Sequence, residues 1–237
     1  ESDGRPASTA AFAVGTELGI DLDPVLALAG VVAAGSVPGT DGSGDALDVA
    51  TRRGSVERRP GLAVPTPETD EGLVAGAAIG MDVLASSDRR RVASTVAVDV
   101  VAPPAATPRA SAAVERVLRP YATTGPLGTV GGYADVLDVL AREAPGTGIA
   151  LALAGTSEAG VDDDLRSAAL ETWRAHGTAA HAAVAEATTA RYDGVFVARV
   201  DEDDPGRLGT IARLCRDFRS PEPIVLIVGA GDESSAA

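Results

Sequence analysis

All 20 basic residues of this 237-residue chain are arginine, set against 34 acidic residues, and the sequence holds no lysine, asparagine or glutamine. The formal charge of −14 limits the conditions under which such a chain can be compact. A surface carrying this much carboxylate repels itself in dilute buffer and becomes tolerable when molar salt shortens the Debye length to about 3 Å. The expected home is the cytoplasm of a salt-accumulating organism whose GC-rich codons favour arginine. With aromatics at only 3%, the core must come from alanine, valine and leucine, so helices approach closely and each contact buries little. The acidity does not settle the partner. In molar salt counterion release is weak for every protein, so contacts to an acidic partner or a nucleic acid would have to come from a few placed arginines.

The single cysteine, Cys215, excludes an intramolecular disulfide and suits a reducing compartment. The longest apolar run, 24–35, is about half the ~20 residues that a membrane span needs, so no membrane role is expected. No signal peptide is recognisable. The first residue is Glu1 and the opening reads as the approach to a helix, so the chain is expected to be a fragment whose upstream part is missing.

The expected fold class is α/β, a helical first half followed by an α/β half with a mainly parallel sheet. Residues 1–102 read as mainly helical with one hairpin. Alanine-rich helices over 6–18 and 24–34 each open on proline and close on glycine, at Gly19 and Gly35. A short helix over 45–53 precedes an extended hairpin over 56–64 that turns at Pro60-Gly61. A further helix is expected from Ser87 or Asp88 to about 101. Pro103, Pro104 and Pro108 mark a linker over 103–110. In the α/β domain over 111–237, helices at 111–118 and 133–142 lead to an apolar run, 148–154, that fits a buried strand. A long helix over 163–189, broken at Gly177, comes next. A strand at 195–200, a helix at 205–218 and a strand at 224–228 complete an alternation that favours parallel pairing.

Several clusters could carry chemistry. The acidic run Asp201-Glu202-Asp203-Asp204 falls where a strand's carboxyl end meets a helix, a position where sheets of this class bind ligands or cations; it reads first as a helix cap. Asp162-Asp163-Asp164 reads the same way. His176 and His181 are the only histidines, and a spacing of five sets them roughly 140° apart on a helix, which suits structure better than metal binding. Cys215 reads as a buried, inert thiol. The stretch 125–132 (GPLGTVGG) matches no phosphate-binding fingerprint and reads as a connection, although the helix start at Tyr133 could receive an anion. Arg213, Arg216 and Arg219 recur every third residue in GRLGTIARLCRDFRSPEP, and a row of guanidinium forks suits phosphates or acidic partner surfaces. They are the candidate nucleic-acid or partner-binding residues, with ion pairing to Asp217 and Glu222 as the plainer reading.

Three stretches carry a family resemblance. GRPASTAAFAVGTELG with DPVLALAGVVAAGSVPG resembles the part of RecJ-like exonucleases of the DHH phosphoesterase family that follows their Asp-His-His motif. RRRVASTVAVDVV with LRPYATTGPLGTVGGYADVLDVLARE, and YDGVFVARVDEDDPGRLGTIARLCRDFRSPEPIVLIVG, resemble downstream parts of such proteins in salt-loving archaea. The resemblance implies a role in DNA replication or repair, as a single-stranded nucleic acid exonuclease or as its non-catalytic partner of a GINS-type complex and the replicative helicase. The family's Mn²⁺ or Mg²⁺ ligands, including the Asp-His-His motif, are absent from this chain, so no cofactor and no catalytic residue are expected within it. A metal site would lie upstream. The alternative expectation is a freestanding α/β regulatory or small-anion-binding domain without a nucleic-acid role.

Overall fold

The computed structural model describes residues 5–59, 61–66, 107–118, 120–155 and 160–230. The chain is mixed α/β, with helices through its first half and a three-stranded sheet near its C-terminus. Three helices come first: α1 (Ala7–Glu17), α2 (Pro24–Ala33) and α3 (Gly44–Arg52). Strand β1 (Val56–Arg58) follows, and after the intervening segment come α4 (Pro108–Val117), β2 (Tyr121–Thr123), α5 (Val130–Glu143) and α6 (Pro145–Gly155). The 24-residue α7 (Asp163–Glu186) leads to β3 (Thr188–Tyr192) and β4 (Val195–Arg199). Helix α8 (Pro205–Leu214) then winds into a π-helical turn (Cys215–Arg219) before β5 (Ile224–Val228).

Helix starts follow local chemistry. Asp23, Thr107, Thr129, Asp162 and Asp204 each accept a backbone N–H from the first turn of the helix they precede. Proline opens α2, α4 and α8, where its missing N–H costs nothing.

Among the described residues two apolar clusters hold these elements. In the larger, Leu28 of α2, Tyr133, Val136 and Leu140 of α5, Leu151 of α6 and Trp173 of α7 are almost fully buried together. Residues of the first 60 positions thus share one core with residues beyond 120. The smaller cluster sets Phe196 and Ala198 of β4 against Ala180 of α7, Ile211 and Leu214 of α8, and Cys215. Helix α7, about 36 Å long at 1.5 Å per residue, contributes to both.

In the sheet, β4 lies between β3, with which it is antiparallel, and β5, with which it is parallel. A two-residue turn, Asp193-Gly194, joins β3 to β4, and Gly194 takes φ 78°, a conformation that a side chain would strain. The β4–α8–β5 unit is the parallel connection expected from the alternating pattern.

Several local expectations are corrected. Residues 148–154 are helical within α6, not a strand: alanine and leucine favour helix, Pro145 opens it, and Ile149 and Leu153 remain exposed. The arms of the expected 56–64 hairpin do not pair with each other. Val56 pairs with Thr123 and Arg58 with Tyr121, while Leu62 bridges to Leu118. Helix α7 runs through Gly177 without a break and ends at Glu186, where Thr188 and Thr189 start β3. Pro108 opens α4, so the end of the 103–110 linker is helical. The helix expected from Ser87 or Asp88 to 101 lies outside the described residues, as does 103–106.

A candidate anion-binding cleft

A cleft of about 750 Å³ opens where α4, β1–β2, the start of α5 and the π-helical turn meet. Its walls are largely aliphatic, from Val32, Val37, Leu118 and Val130 among others, with Tyr121 as the aromatic contribution. Among the described residues four arginines line it, Arg58, Arg109, Arg116 and Arg216, together with the carboxylates of Glu115 and Asp217. These described residues therefore carry a local excess of two positive charges within a chain of net −14.

Each arginine reaches the cleft for a definable reason. Arg58 stands on β1 directly opposite Tyr121, and its guanidinium lies 5.7 Å from the centre of that ring. Among the described residues it makes no ion pair. Arg109 is committed to the backbone. Its Nη1 donates to the carbonyls of Arg216, Ser220 and Glu222 at 3.2, 3.4 and 3.2 Å, which ties α4 to the end of the π-helical turn. Arg116 stands about two turns further along α4 and lies 3.6 Å from Asp217 Oδ2. Arg216 donates through Nε to Asp217 Oδ1 at 2.8 Å and through Nη2 to Oδ2 at 3.2 Å. That carboxylate holds the Arg216 proton more tightly than usual. Thr107 completes the frame, donating to the Asp217 carbonyl while accepting from Ala110 N.

The opposite wall explains the glycines of 125–132. Thr129 caps α5 through Gly132 N at 2.9 Å and donates to Val64 O at 2.8 Å, while Gly128 N donates to Pro65 O at 2.7 Å. The 62–66 segment is thereby strapped across the start of α5. A Cβ on Gly132 would run into the backbone of Val64 and Pro65, and one on Gly131 would press on Ala63 at 2.7 Å. The helix start suggested as an anion site is thus capped by Thr129 and covered by Val64-Pro65.

The three arginines singled out by sequence separate. Arg213 pairs with Asp138 at 3.3 Å, beside the Arg142–Asp138 pair on α5. Arg216 lines the cleft. Arg219 is exposed and its charge acts on the nearby Cys215, whose buried thiol is pushed up by desolvation. Sequence reasoning missed Arg58, Arg109 and Arg116, which come from remote segments and meet through the β1–β2 pairing and the α4 packing.

The other clusters are structural in their geometry. Glu202 accepts from the backbone N–H of Asp203 and Asp204, both at 3.0 Å, and pairs with Arg207 at 2.8 Å. Asp204 caps α8, and the Arg207 N–H that it accepts holds its carboxyl below the ordinary range. Asp162 caps α7 and Asp163 pairs with Arg166 at 2.8 Å. His176 is buried, with Nδ1 2.8 Å from Glu143 Oε1 and Nε2 2.9 Å from Thr210 Oγ1. The order carboxylate–imidazole–hydroxyl resembles a nucleophile relay, but Thr210 is only 1% exposed and does not line the arginine cleft, so the chain of bonds pins α5, α7 and α8 together. Among the described residues no three His, Cys, Asp or Glu side chains converge as metal ligands, and no helix is long and apolar enough to cross a membrane.

Comparison with known proteins corrects the resemblance drawn from sequence texture. Residues 187–237, which hold β3, β4, α8 and β5, match the family described as the C-terminal domain of the uncharacterized protein rrnAC1427. Over 98% of its length the chain is similar to the uncharacterized protein rrnAC1427 of Haloarcula marismortui, at 44% identity over 251 residues. The chain spans 62% of that relative's length. These matches replace the reading as a RecJ-like DHH phosphoesterase. Alanine- and glycine-rich texture with abundant acids reflects composition, and the stretches that suggested the DHH family contain no metal-ligand motif.

Proposed function

We propose that this chain works by binding a small anion in the arginine-lined cleft, as an anion-binding or regulatory α/β protein. The observation that supports the reading is the gathering of Arg58, Arg109, Arg116 and Arg216 around one cavity of a chain with net charge −14. Guanidinium forks hold phosphate or carboxylate oxygens bidentately, so such contacts withstand molar salt better than diffuse attraction does. The division of labour is uneven. Arg109 anchors the frame through backbone carbonyls, Arg216 is exposed but oriented by Asp217, and Arg58 and Arg116 are further exposed cations available to a ligand. The reading needs no metal within the chain. It carries a cytoplasmic location with it, since the one cysteine is a free, buried thiol.

Thermal unfolding in molar KCl with and without pyrophosphate tests the proposal. A ligand at about 100 times its Kd adds roughly 2.7 kcal/mol to the stability of the folded state. The expected result is a pyrophosphate-dependent rise in Tm that disappears in the Arg58→Ala/Arg116→Ala variant. A Tm that pyrophosphate leaves unchanged in the parent chain would sink it.

A further inference from the structure

We infer that the ligand is an aliphatic phosphate monoester, a dianionic head carrying a hydrocarbon tail; the inference rests on the anion-binding reading and specifies its ligand. The head follows from charge. The excess of two positive charges among the described lining residues matches a group whose charge is about −1.5 to −2 near neutral pH. Arg58 and Arg116 present their donors from two different elements, β1 and α4, and Arg216 is already oriented on the third side. The tail follows from the walls. Val32, Val37, Pro38, Leu118, Pro120 and Val130 are all aliphatic, and Arg58 already lies over the face of Tyr121, the one aromatic ring among the described lining residues. Recognition of a nucleobase or sugar uses stacking faces and neutral side-chain donors and acceptors. Among the described residues the lining offers no serine or threonine hydroxyl, and the chain has neither asparagine nor glutamine. Molar salt, if this is the working medium, strengthens burial of a tail while it weakens unpaired charge contacts.

The cavity, about 750 Å³, falls in the ~300–1,000 Å³ range of small-molecule sites. Bidentate heads fix orientation at the arginine side, leaving the tail to lie along Val32 and Val130. Burial of each methylene should then tighten binding by about fourfold, the fold-change that corresponds to ~0.8 kcal/mol.

The test is calorimetric titration of the full chain in molar KCl with inorganic phosphate, then ethyl, butyl and hexyl phosphate, with hexanol and adenosine monophosphate as controls. We expect Kd to fall by about fifteenfold with each added pair of methylenes, hexanol to show no binding, and adenosine monophosphate to bind no better than inorganic phosphate. The exposed Val37→Ser variant should weaken hexyl phosphate while leaving inorganic phosphate unchanged. Arg116→Ala should weaken every phosphate in the series by a similar factor. If inorganic phosphate and the alkyl phosphates bind alike, the tail assignment falls while the anion reading stands. If adenosine monophosphate matches hexyl phosphate, the aliphatic class is wrong. If hexanol binds as well as hexyl phosphate, or if nothing binds, the anion reading falls and takes this inference with it.

Discussion

Trp173, the one tryptophan of the chain, donates its indole N–H to Asp135 Oδ2 at 2.6 Å, and the carboxyls of Asp135 and Asp204 are shifted in opposite directions. Desolvation raises the Asp135 carboxyl, with the Trp173 bond, Arg213 and His176 only partly offsetting it. A raised carboxyl costs stability above its folded-state value and is relieved as pH falls through it. Removing the charge while keeping the acceptor should therefore do no harm. We expect Asp135→Asn to match or exceed the parent's urea midpoint at neutral pH, whereas Asp135→Ala, which strands the indole N–H, should lose about 1–3 kcal/mol. Equal losses in both variants would contradict this account. Asp204 is the reverse case. Its folded value lies below the ordinary 3.8, chiefly because it accepts the Arg207 N–H, so its stabilising contribution is complete above the unfolded value and is lost as pH falls through the folded one. Asp204→Ala should cost about 1 kcal/mol at neutral pH and progressively less as pH falls below the ordinary 3.8 toward and through the folded value, a difference that paired urea titrations read directly.

At the scale of elements, what the sequence made legible was what local chemistry decides. Pro24 and Pro205 at helix starts, glycines at helix ends, and the apolar run of β5 placed α2, α8 and β5 within a residue or so of where they lie. What it hid was pairing. The segment 56–58 finds its partner at 121–123, and a single strand of three residues carries no mark of a partner more than 60 positions away. The cleft was illegible for the same reason, since Arg58, Arg116 and Arg216 meet only once that pairing and the α4–π-turn contact exist. The apolar run of α6 was ambiguous in itself, because a short stretch of leucine and alanine satisfies strand and helix periods alike. Gly132 ties these observations to stability. Substitution by alanine would drive a Cβ into the Val64-Pro65 backbone, and we expect Gly132→Ala to lose ~1–3 kcal/mol or more, with pyrophosphate binding weakened in parallel because the 62–66 strap borders the cleft. Unchanged chemical denaturation would show that the strap yields freely.

At the scale of the whole molecule, charge and core are coupled. The larger cluster contains one tryptophan and two tyrosines or phenylalanines fully inside it, and is otherwise alanine, valine and leucine. Small side chains give a modest hydrophobic term, while 34 acidic residues against 20 arginines press outward. Ion pairs such as Arg53–Asp21 and Arg59–Glu57 are exposed and contribute little individually. The compact state should therefore depend on screening. Between molar KCl and ~50 mM salt the Debye length grows from about 3 Å to well over 10 Å, past the separation of neighbouring surface carboxylates. Added salt also strengthens apolar burial through solvent exclusion, in the same direction. We expect the far-UV circular dichroism of the chain to report loss of helix on dialysis from molar KCl to ~50 mM, reversed on returning the salt. Sodium sulfate at lower molarity should preserve the fold better than KCl does, because exclusion from the surface adds to screening. If Tm is the same at both ends of the KCl range, the apolar clusters hold the molecule without help from salt, and its acidity serves solubility alone.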